Sequence, residues 1–350
     1  MNNFLNHVQE LKRISNSKKS PKRAIFLFIS VAITLVCLYF SFKGINWSYF
    51  FSKITDGKYA YLSVIFLISS VNNLIRAFRW RLLLSKEKKI PLFQVFWANM
   101  VGYMGNTIFP ARAGEIIRSV YLGKEQGIST SFVFATCIIE RLFDVIALVI
   151  IGATSILILG LNNIRIIGII FVISLLVVFG IIFILLIPKF IGPLLNWINR
   201  TKYISKLYVP IQVFFTSFSG ILLILKDVRI ILPYILLTIT IWLVDAVGFV
   251  TAGMMFHTQI SLVQALMTLA SLGLASAIPS TPGYVGVYQF VGIVVLVPLG
   301  FDQEAILALI TIVQIFGFLV VILWGSLGLM RFPLKLSEDP VSHKSTSTYN

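Results

Sequence analysis

The chain has 350 residues, of which 58% are apolar and only 12% are charged, and its mean hydropathy is +0.93. Soluble domains carry about 25% charged residues, so this composition excludes an ordinary water-soluble protein. Apolar runs of the roughly 20 residues needed to cross a bilayer as a helix recur along the chain. The composition therefore predicts a protein that crosses the membrane several times.

The 29 lysines and arginines outnumber the 13 acidic residues, which leaves a net charge of +16. A basic excess can indicate nucleic-acid binding, but here the bases lie between apolar segments and no nucleic-acid-binding motif occurs. Membrane topology and anionic lipids explain these bases more simply. Because Cys37 and Cys137 lie inside apolar runs and the three histidines are scattered, we expect no disulfide, metal site, cofactor or catalytic nucleophile.

Residues 1–23 form a basic, polar N-terminal segment, and the apolar run 24–42 follows it directly. This run is longer than the hydrophobic region of a signal peptide and has no small-residue cleavage site, so we expect an uncleaved first span. Five more runs predict further full spans: 60–75, 131–160, 166–187, 230–256 and 305–329.

Two other apolar segments, 92–109 and 262–300, are interrupted by glycine, proline and polar residues around Asn106–Glu115 and Pro279–Gly286. If both segments are re-entrant, 24 of the 29 basic residues fall on one side of the membrane, as the positive-inside rule requires. We therefore predict an all-α bundle of about six full spans and two re-entrant elements from opposite faces. Both termini would lie in the cytoplasm, and the protein in the cell membrane.

The interrupted segments also resemble each other. Pro110 and Gly114 in the first match Pro279 and Gly283 in the second, 169 residues later, and the spans matched at this offset run in opposite directions. The pattern predicts an inverted-topology repeat, whose broken helices usually mark a transporter's binding site. The matched features are few, so a chance correspondence is the alternative.

Acidic residues occur within two predicted spans. Glu140, Arg141 and Asp144 share one helix, where Arg141 can reach Asp144 at i,i+3. Ionised groups at membrane depth face the bundle interior and pair, so this cluster is either a structural lock or the lining of a polar cavity for a headgroup or protons. Asp245 is alone on its helix; its partner would be Arg141 or Arg112, unless the carboxyl is protonated.

The first interruption contains Asn106, Arg112, Gly114, Glu115 and Arg118. A helix that begins near Gly114 would attract an anion, and the two arginines would add charge and bidentate donors for a phosphate. The alternative is a cytoplasmic loop with topology-determining arginines.

The second interruption contains Pro279, Pro282, Gly283 and Gly286, and no charge. These residues force a non-helical turn, which would shape or cap a cavity unless it is a simple extracellular turn. Arg76, Arg79 and Trp80 follow the span 60–75, where we expect interfacial anchoring rather than headgroup contact.

Taken in order, these residues resemble the flippase-like transmembrane family, also called the lysylphosphatidylglycerol synthase transmembrane region, over roughly residues 20–332. The motifs that carry the resemblance are Arg76-x-x-Arg79-Trp80-x-x-Leu83-Leu84, Asn106-x-x-x-Pro110-x-Arg112-x-Gly114-Glu115-x-x-Arg118, Glu140-Arg141-x-x-Asp144, and Pro279-x-x-Pro282-Gly283-x-x-Gly286-x-x-Gln289.

The resemblance implies a relative of the lipid-translocating half of bacterial aminoacyl-phospholipid synthases. A flippase-like transmembrane domain is then expected over residues 24–332. The aromatic and basic residues of 188–229 separately predict an interfacial insertion, and the polar residues 333–350 predict a disordered cytoplasmic tail. We expect no lysyl-transfer domain after the last span, and therefore no lysyl transfer. Gln289 stands where an acid is expected, and Tyr284 stands where a glycine is common.

The leading hypothesis is a translocator of an anionic, modified or polyprenyl-linked lipid, with membrane lipids as its partners. Arg112, Arg118 and Arg141 would hold the headgroup, Glu140, Asp144 and Asp245 would balance charge, and the two broken segments would open alternately. The predicted headgroup site also includes Asn106 and Glu115. The predicted turns consist of Pro110, Gly114, Pro279, Pro282, Gly283, Gly286 and Gln289. The alternatives are a non-catalytic partner of a lipid-modifying or glycosyl-transfer enzyme, and an intramembrane enzyme acting on headgroups.

Overall fold

The computed structural model describes residues 21–109, 112–160, 218, 220–221, 227–278 and 280–331, and within these ranges the regular structure is helical throughout. The prediction of an all-α helical membrane bundle is confirmed for this part of the chain. Its ten α-helices are α1 (Pro21–Phe42), α2 (Trp47–Thr55), α3 (Tyr61–Leu84), α4 (Leu92–Ile108), α5 (Gly114–Gln126), α6 (Thr130–Ile158), α7 (Val228–Met255), α8 (Leu262–Ala275), α9 (Val287–Leu296) and α10 (Gln303–Arg331).

Several of these helices are long and apolar enough to cross a membrane. Among the described residues they are α3, α6, α7, α10 and the stretch Pro282–Leu299 that contains α9; α1 and α2, bent by 90° at their junction, are a sixth candidate. The predicted spans 24–42, 60–75, 131–160, 230–256 and 305–329 all coincide with helices. The span predicted at 166–187 lies outside the described residues, as do the tail and nearly all of the N-terminal segment and the insertion.

Each predicted interruption separates two packed helices. We call residues 109–113, between α4 and α5, the first break, and residues 276–286, between α8 and α9, the second break. The second break includes a 3-10 turn at Pro282–Tyr284, and α4 packs against this turn. Helix α4 and the second break are therefore adjacent, while the re-entrant paths of both segments stay a prediction.

The helix bounds agree with the predicted repeat. Adding 169 residues to α3 gives 230–253, close to α7, and the same offset places α4 on α8, α5 on α9 and α6 on α10. The packing agrees with this correspondence. Helix α4 packs against α10, and their counterparts α8 and α6 pack against each other. These correspondences support the inverted repeat, which stays a proposal.

Apolar side chains pack in two clusters at opposite ends of α3. One cluster surrounds Trp80 and Leu83 near the end of α3 and includes α4, α5 and the start of α6. The other surrounds Ile65 near the start of α3 and includes the end of α7, α8 and the start of α10. Most polar residues of α3, from Ser69 to Arg76, lie between the two clusters in the middle of the helix, and Arg79 lies beside the first cluster.

Glycine permits the close packing of α4 on α5. A Cβ atom on Gly114 would lie 1.8 Å from the carbonyl oxygen of Gly102, and one on Gly105 would lie 2.9 Å from the Cα of Gly114. Small residues allow membrane helices to approach at backbone distance. This contact holds the first break at the point where α5 begins.

Candidate functional site

Two arginines are completely buried in the middle of the bundle. The Arg79 guanidinium donates from Nη1 to Asp144 Oδ1 at 2.6 Å and from Nη2 to Glu140 Oε1 at 2.9 Å. The Arg118 guanidinium donates to Glu140 Oε2 at 2.9 Å and to Asn99 Oδ1 at 2.7 Å. The two arginines therefore share Glu140, and each places a planar fork of donors on oxygen acceptors.

The burial of Arg79 contradicts the interfacial anchoring expected for it, because its side chain is 0% exposed. Helix α3 continues to Leu84, so Arg79 lies within the helix rather than at the end of a span. Trp80 is buried beside it and donates from Nε1 to Thr136 Oγ1 at 2.9 Å. A buried ion requires a partner, and α6 supplies it because Glu140 and Asp144 share a helical face.

Arg141 joins the same network from its more open side. Its Nε donates to Glu115 Oε1 at 2.7 Å and its Nη1 approaches Asp144 Oδ2 at 3.4 Å, so the predicted Arg141–Asp144 contact is confirmed. The Arg141 side chain is 28% exposed, whereas Arg118 is 1% exposed. Of these two predicted headgroup ligands, Arg141 reaches open space and Arg118 is enclosed.

Asp245 pairs with α3, not with the arginines expected for it. Its Oδ2 accepts from Arg76 Nη2 at 2.5 Å and its Oδ1 accepts from Asn72 Nδ2 at 2.6 Å. The expectation of Arg141 or Arg112 as its partner is wrong because α7 packs along α3 over much of its length. Both members of the Arg76–Asp245 pair are partly exposed, at 15% and 29%.

Arg112 lies on the first break and touches the second. Its Nε donates to the Tyr284 hydroxyl at 3.1 Å and its Nη2 donates to Ser276 Oγ at 2.5 Å. Its backbone φ is +53°, a conformation that non-glycine residues seldom adopt. Both contacts are to neutral oxygens, so within the described residues Arg112 is not paired with a carboxylate.

The remaining charges of the site balance. Among the described residues, four arginines pair with four carboxylates, and we call this set the ion-pair cluster. Its members are Arg76, Arg79, Arg118, Arg141, Glu115, Glu140, Asp144 and Asp245. Arg112 is therefore an additional, uncompensated positive charge.

Another residue predicted for the site, Asn106, lies in the last turn of α4 and caps the helix that follows the first break. Its Oδ1 accepts a hydrogen bond from the Gly114 amide at 2.8 Å, so the first amide of α5 already has an acceptor. Helix α5 begins at Gly114, as predicted. The start of α5 therefore has fewer free amides for an anion than expected. Pro110, also predicted for this turn, lies outside the described residues.

A chain of amides holds the second break. Gln289 Oε1 accepts from the Gly286 amide at 2.8 Å, Gln289 Nε2 donates to Gln314 Oε1 at 2.7 Å, and Gln314 Nε2 donates to the Gly283 carbonyl at 2.6 Å. Because Gln289 both accepts and donates, an ionised acid at this position, which only accepts, could not replace it in the chain.

Three residues of the second break have positive φ: Gly283 at +74°, Tyr284 at +61° and Gly286 at +83°. The conformation of Tyr284 explains why a glycine would be common there, since glycine adopts positive φ without strain. Pro282 begins the 3-10 turn and Pro279 lies outside the described residues. The turn is thus strongly bent and fixed by hydrogen bonds, as its composition predicts.

A cavity of about 1120 Å³ lies where the two breaks and the ion-pair cluster meet. This exceeds the roughly 300–1,000 Å³ typical of small-ligand pockets. One part of its wall is polar and the rest is apolar. The polar part includes Asn72, Arg76, Tyr103, Asn106, Arg112, Glu115, Arg141, Asp144 and Asp245, and the apolar part includes Leu148, Gly152, Ile156, Val294, Val295 and Leu299.

The sequence patterns do not identify three site residues of α3, namely Asn72 and Arg76, which line the cavity, and Arg79, which is buried in the ion-pair cluster. Asn72, Arg76 and Arg79 follow one another at i, i+4 and i+7, so they lie on one face of α3. Their spacing is a signal that the sequence contains. Tyr103, which also lines the cavity, is one aromatic residue among many and has no comparable signal.

Long apolar helices around a central polar cavity define a polytopic α-helical membrane protein. The family described as Lysylphosphatidylglycerol synthase TM region matches residues 27–325. The chain belongs to this family, as its motifs predict, and is an integral membrane protein related to lipid metabolism. Neither curated proteins nor solved structures give a significant match.

Proposed function

We propose that the protein binds a membrane lipid in the cavity and moves it between the two leaflets. The observation that carries this proposal is a cavity of about 1120 Å³ whose lining combines an uncompensated arginine and ionised pairs with many apolar side chains. An amphipathic ligand matches such a wall because its headgroup and its chains require opposite environments. Membrane-buried ionisable groups and broken helices commonly mark a transport pathway.

The residues divide between contact and support. Arg112 and Arg141 reach the cavity and are the cations that contact the headgroup, and the Arg76–Asp245 pair also lines the cavity. Arg118, Glu140 and most of Asp144 are enclosed and hold the helices in place. The two breaks meet beside Arg112, so a relative movement of their helices would open the headgroup site to one leaflet or the other.

Reconstitution into proteoliposomes tests the proposal. The unaltered protein should accelerate the loss of fluorescently labelled phospholipid from the inner leaflet, as measured with an impermeant quencher. Arg112→Gln should slow translocation by about tenfold or more, because a hydrogen bond to a charged group contributes about 1.5–3 kcal/mol.

The matched control is Arg229→Gln, which removes an exposed arginine at the start of α7. Its translocation rate should equal that of the unaltered protein. The proposal fails if the double variant Arg112→Gln, Arg141→Gln, verified as folded by its thermal unfolding, translocates every labelled lipid at the normal rate.

A further inference from the structure

The cavity also indicates which headgroup charge it accepts. We infer that the lipid bound there carries one net negative charge, as a phosphodiester with an uncharged alcohol does. This inference rests on the proposed lipid site and narrows its substrate class. It depends on the charge balance of the wall and on the position of Arg112.

The charge balance comes first. Each carboxylate of the ion-pair cluster already contacts an arginine: Glu140 contacts two, Asp144 contacts two, Glu115 contacts Arg141 at 2.7 Å, and Asp245 contacts Arg76. In a membrane interior a charge without a counter-charge is unfavourable. With the cluster neutral, Arg112 leaves the site with one positive charge to be balanced by the ligand.

Arg112 also has unused donors. Of the groups on its guanidinium, Nε contacts Tyr284 and Nη2 contacts Ser276, whereas Nη1 has no hydrogen-bond partner among the described residues. The Tyr284 hydroxyl accepts from Arg112, so its own proton is available to an anionic oxygen. Nη1 can therefore donate to an anionic oxygen of a phosphodiester, and the Tyr284 hydroxyl is a second, separate donor.

A cationic headgroup does not match this wall. An ammonium or lysyl group would need a free carboxylate, and every carboxylate of the cluster has an arginine within 2.9 Å. Binding a cation would therefore require an arginine to be displaced, and would leave Arg112 uncompensated. An aminoacylated phospholipid with a net positive charge is consequently a poor ligand for this cavity.

A diphosphate does not match the wall either. It brings at least two negative charges, and Arg112 is the single uncompensated cation among the cavity residues that the structure describes. The second phosphate would have to compete with Glu115 or Asp144 for Arg141. Charge therefore favours a monoanionic phosphodiester over both extremes.

Lipid binding to the purified full-length protein in neutral detergent tests the inference by native mass spectrometry. The probes are phosphatidylglycerol, phosphatidylethanolamine, lysyl-phosphatidylglycerol and a polyprenyl diphosphate, at equal concentrations. Phosphatidylglycerol should be retained about tenfold more than each of the others. Equal or better retention of the cationic lipid or the diphosphate would overturn the inference.

Variants test whether the positive charge of Arg112 causes the lipid preference. Arg112→Gln should abolish the preference, Arg112→Lys should keep part of it, and Arg229→Gln should leave it intact. Ser276→Asp places a carboxylate against Arg112 without removing it, and should abolish the preference while the protein stays folded. A preference that survives both Arg112→Gln and Ser276→Asp would contradict the inference.

Two further comparisons define the ligand and its relation to transport. Soluble diethyl phosphate should not displace phosphatidylglycerol, because it cannot use the apolar wall; displacement at equal concentration would contradict a lipid ligand. Selective binding without translocation in proteoliposomes would refute the proposed function and leave this inference standing. Translocation without a preference for headgroup charge would refute this inference and leave the proposed function standing.

Discussion

Arg79 is the side chain whose environment differs most from what its position in the sequence indicates. It follows an apolar run, as an interfacial arginine does, yet it is completely buried between Glu140 and Asp144. Arg118, which is also buried, pairs with the other carboxylate oxygen of Glu140. Glu140 is therefore the carboxylate on which two buried cations depend.

Replacement of Glu140 should consequently destabilise the protein. Glu140→Gln keeps the size of the side chain but leaves Arg79 and Arg118 with one carboxylate partner fewer each, and breaking a buried ion pair costs about 3–5 kcal/mol. Thermal unfolding in detergent should show a large decrease in midpoint. Glu87→Gln, at an exposed position between α3 and α4, is the control and should unfold like the unaltered protein.

Gln289 allows a finer comparison. Gln264 occupies the same place in a second capping arrangement, where its Oε1 accepts from the Ser261 amide at 2.8 Å. A glutamate can replace Gln264 because only an acceptor is needed there. Gln289 must in addition donate to Gln314.

We therefore expect Gln289→Glu to lower the stability by about 1–3 kcal/mol, the cost of an unsatisfied buried polar group, and Gln264→Glu to be nearly neutral. The unfolding midpoints of the two variants check this. Equal effects would show that the Gln289–Gln314 bond contributes nothing.

At the scale of elements, the first break depends on how closely α4 and α5 approach. Asn106 and Gly114 meet at the start of α5, and the backbone of Gly102 lies directly against it. A side chain at position 114 would separate the two helices and displace Arg112 from Ser276 and Tyr284. The geometry of the headgroup site is thus linked to a glycine that has no chemistry of its own.

Gly114→Ala should lower both stability and translocation, since its Cβ would lie 1.8 Å from the Gly102 carbonyl oxygen. Gly317→Ala is the matched control for stability, because Gly317 lies in α10 with no atom within 4 Å of an added Cβ. Thermal unfolding should separate the two variants, and the proteoliposome rate of Gly114→Ala should fall below that of the unaltered protein. A Gly114→Ala protein of normal stability and rate would show that the two helices can move apart freely.

The sequence predicts some of these features and cannot predict others. Helical spacing is enough to bring Glu140, Arg141 and Asp144 together, and proline and glycine are enough to place both breaks. The partners of Asp245 and the position of Arg112 depend on which helices pack together, and periodicity within one helix carries no such information. The apolar run ends at Arg76, so the sequence wrongly predicts interfacial positions for Arg76 and Arg79. The helix in fact continues to Leu84, and both arginines form ion pairs with other helices.

For the whole molecule, the predicted topology places the α2–α3 loop outside and the α3–α4 loop in the cytoplasm. The 24-residue helix α3 separates the two loops, long enough to cross the hydrocarbon core. The described residues offer an exposed position in each loop, Asp56 and Glu87. Their sidedness follows from the basic residues and stays a prediction.

Cysteine labelling of intact cells checks this topology. In a background where Cys37 and Cys137 are replaced by serine, Asp56→Cys should react with a membrane-impermeant maleimide and Glu87→Cys should react only after the cells are permeabilised. The opposite result would invert the predicted orientation.

The pairing of α3 has a consequence for how the protein is made. The carboxylates that neutralise Arg79 and Arg76 come 61, 65 and 169 residues later in the chain. When α3 leaves the ribosome it carries these two arginines without counter-charges, and an unpaired charge within a membrane helix is unfavourable. The ion pairs of α3 form only after α6 and α7 have been synthesised, so the early part of the chain depends on the late part for its charge balance.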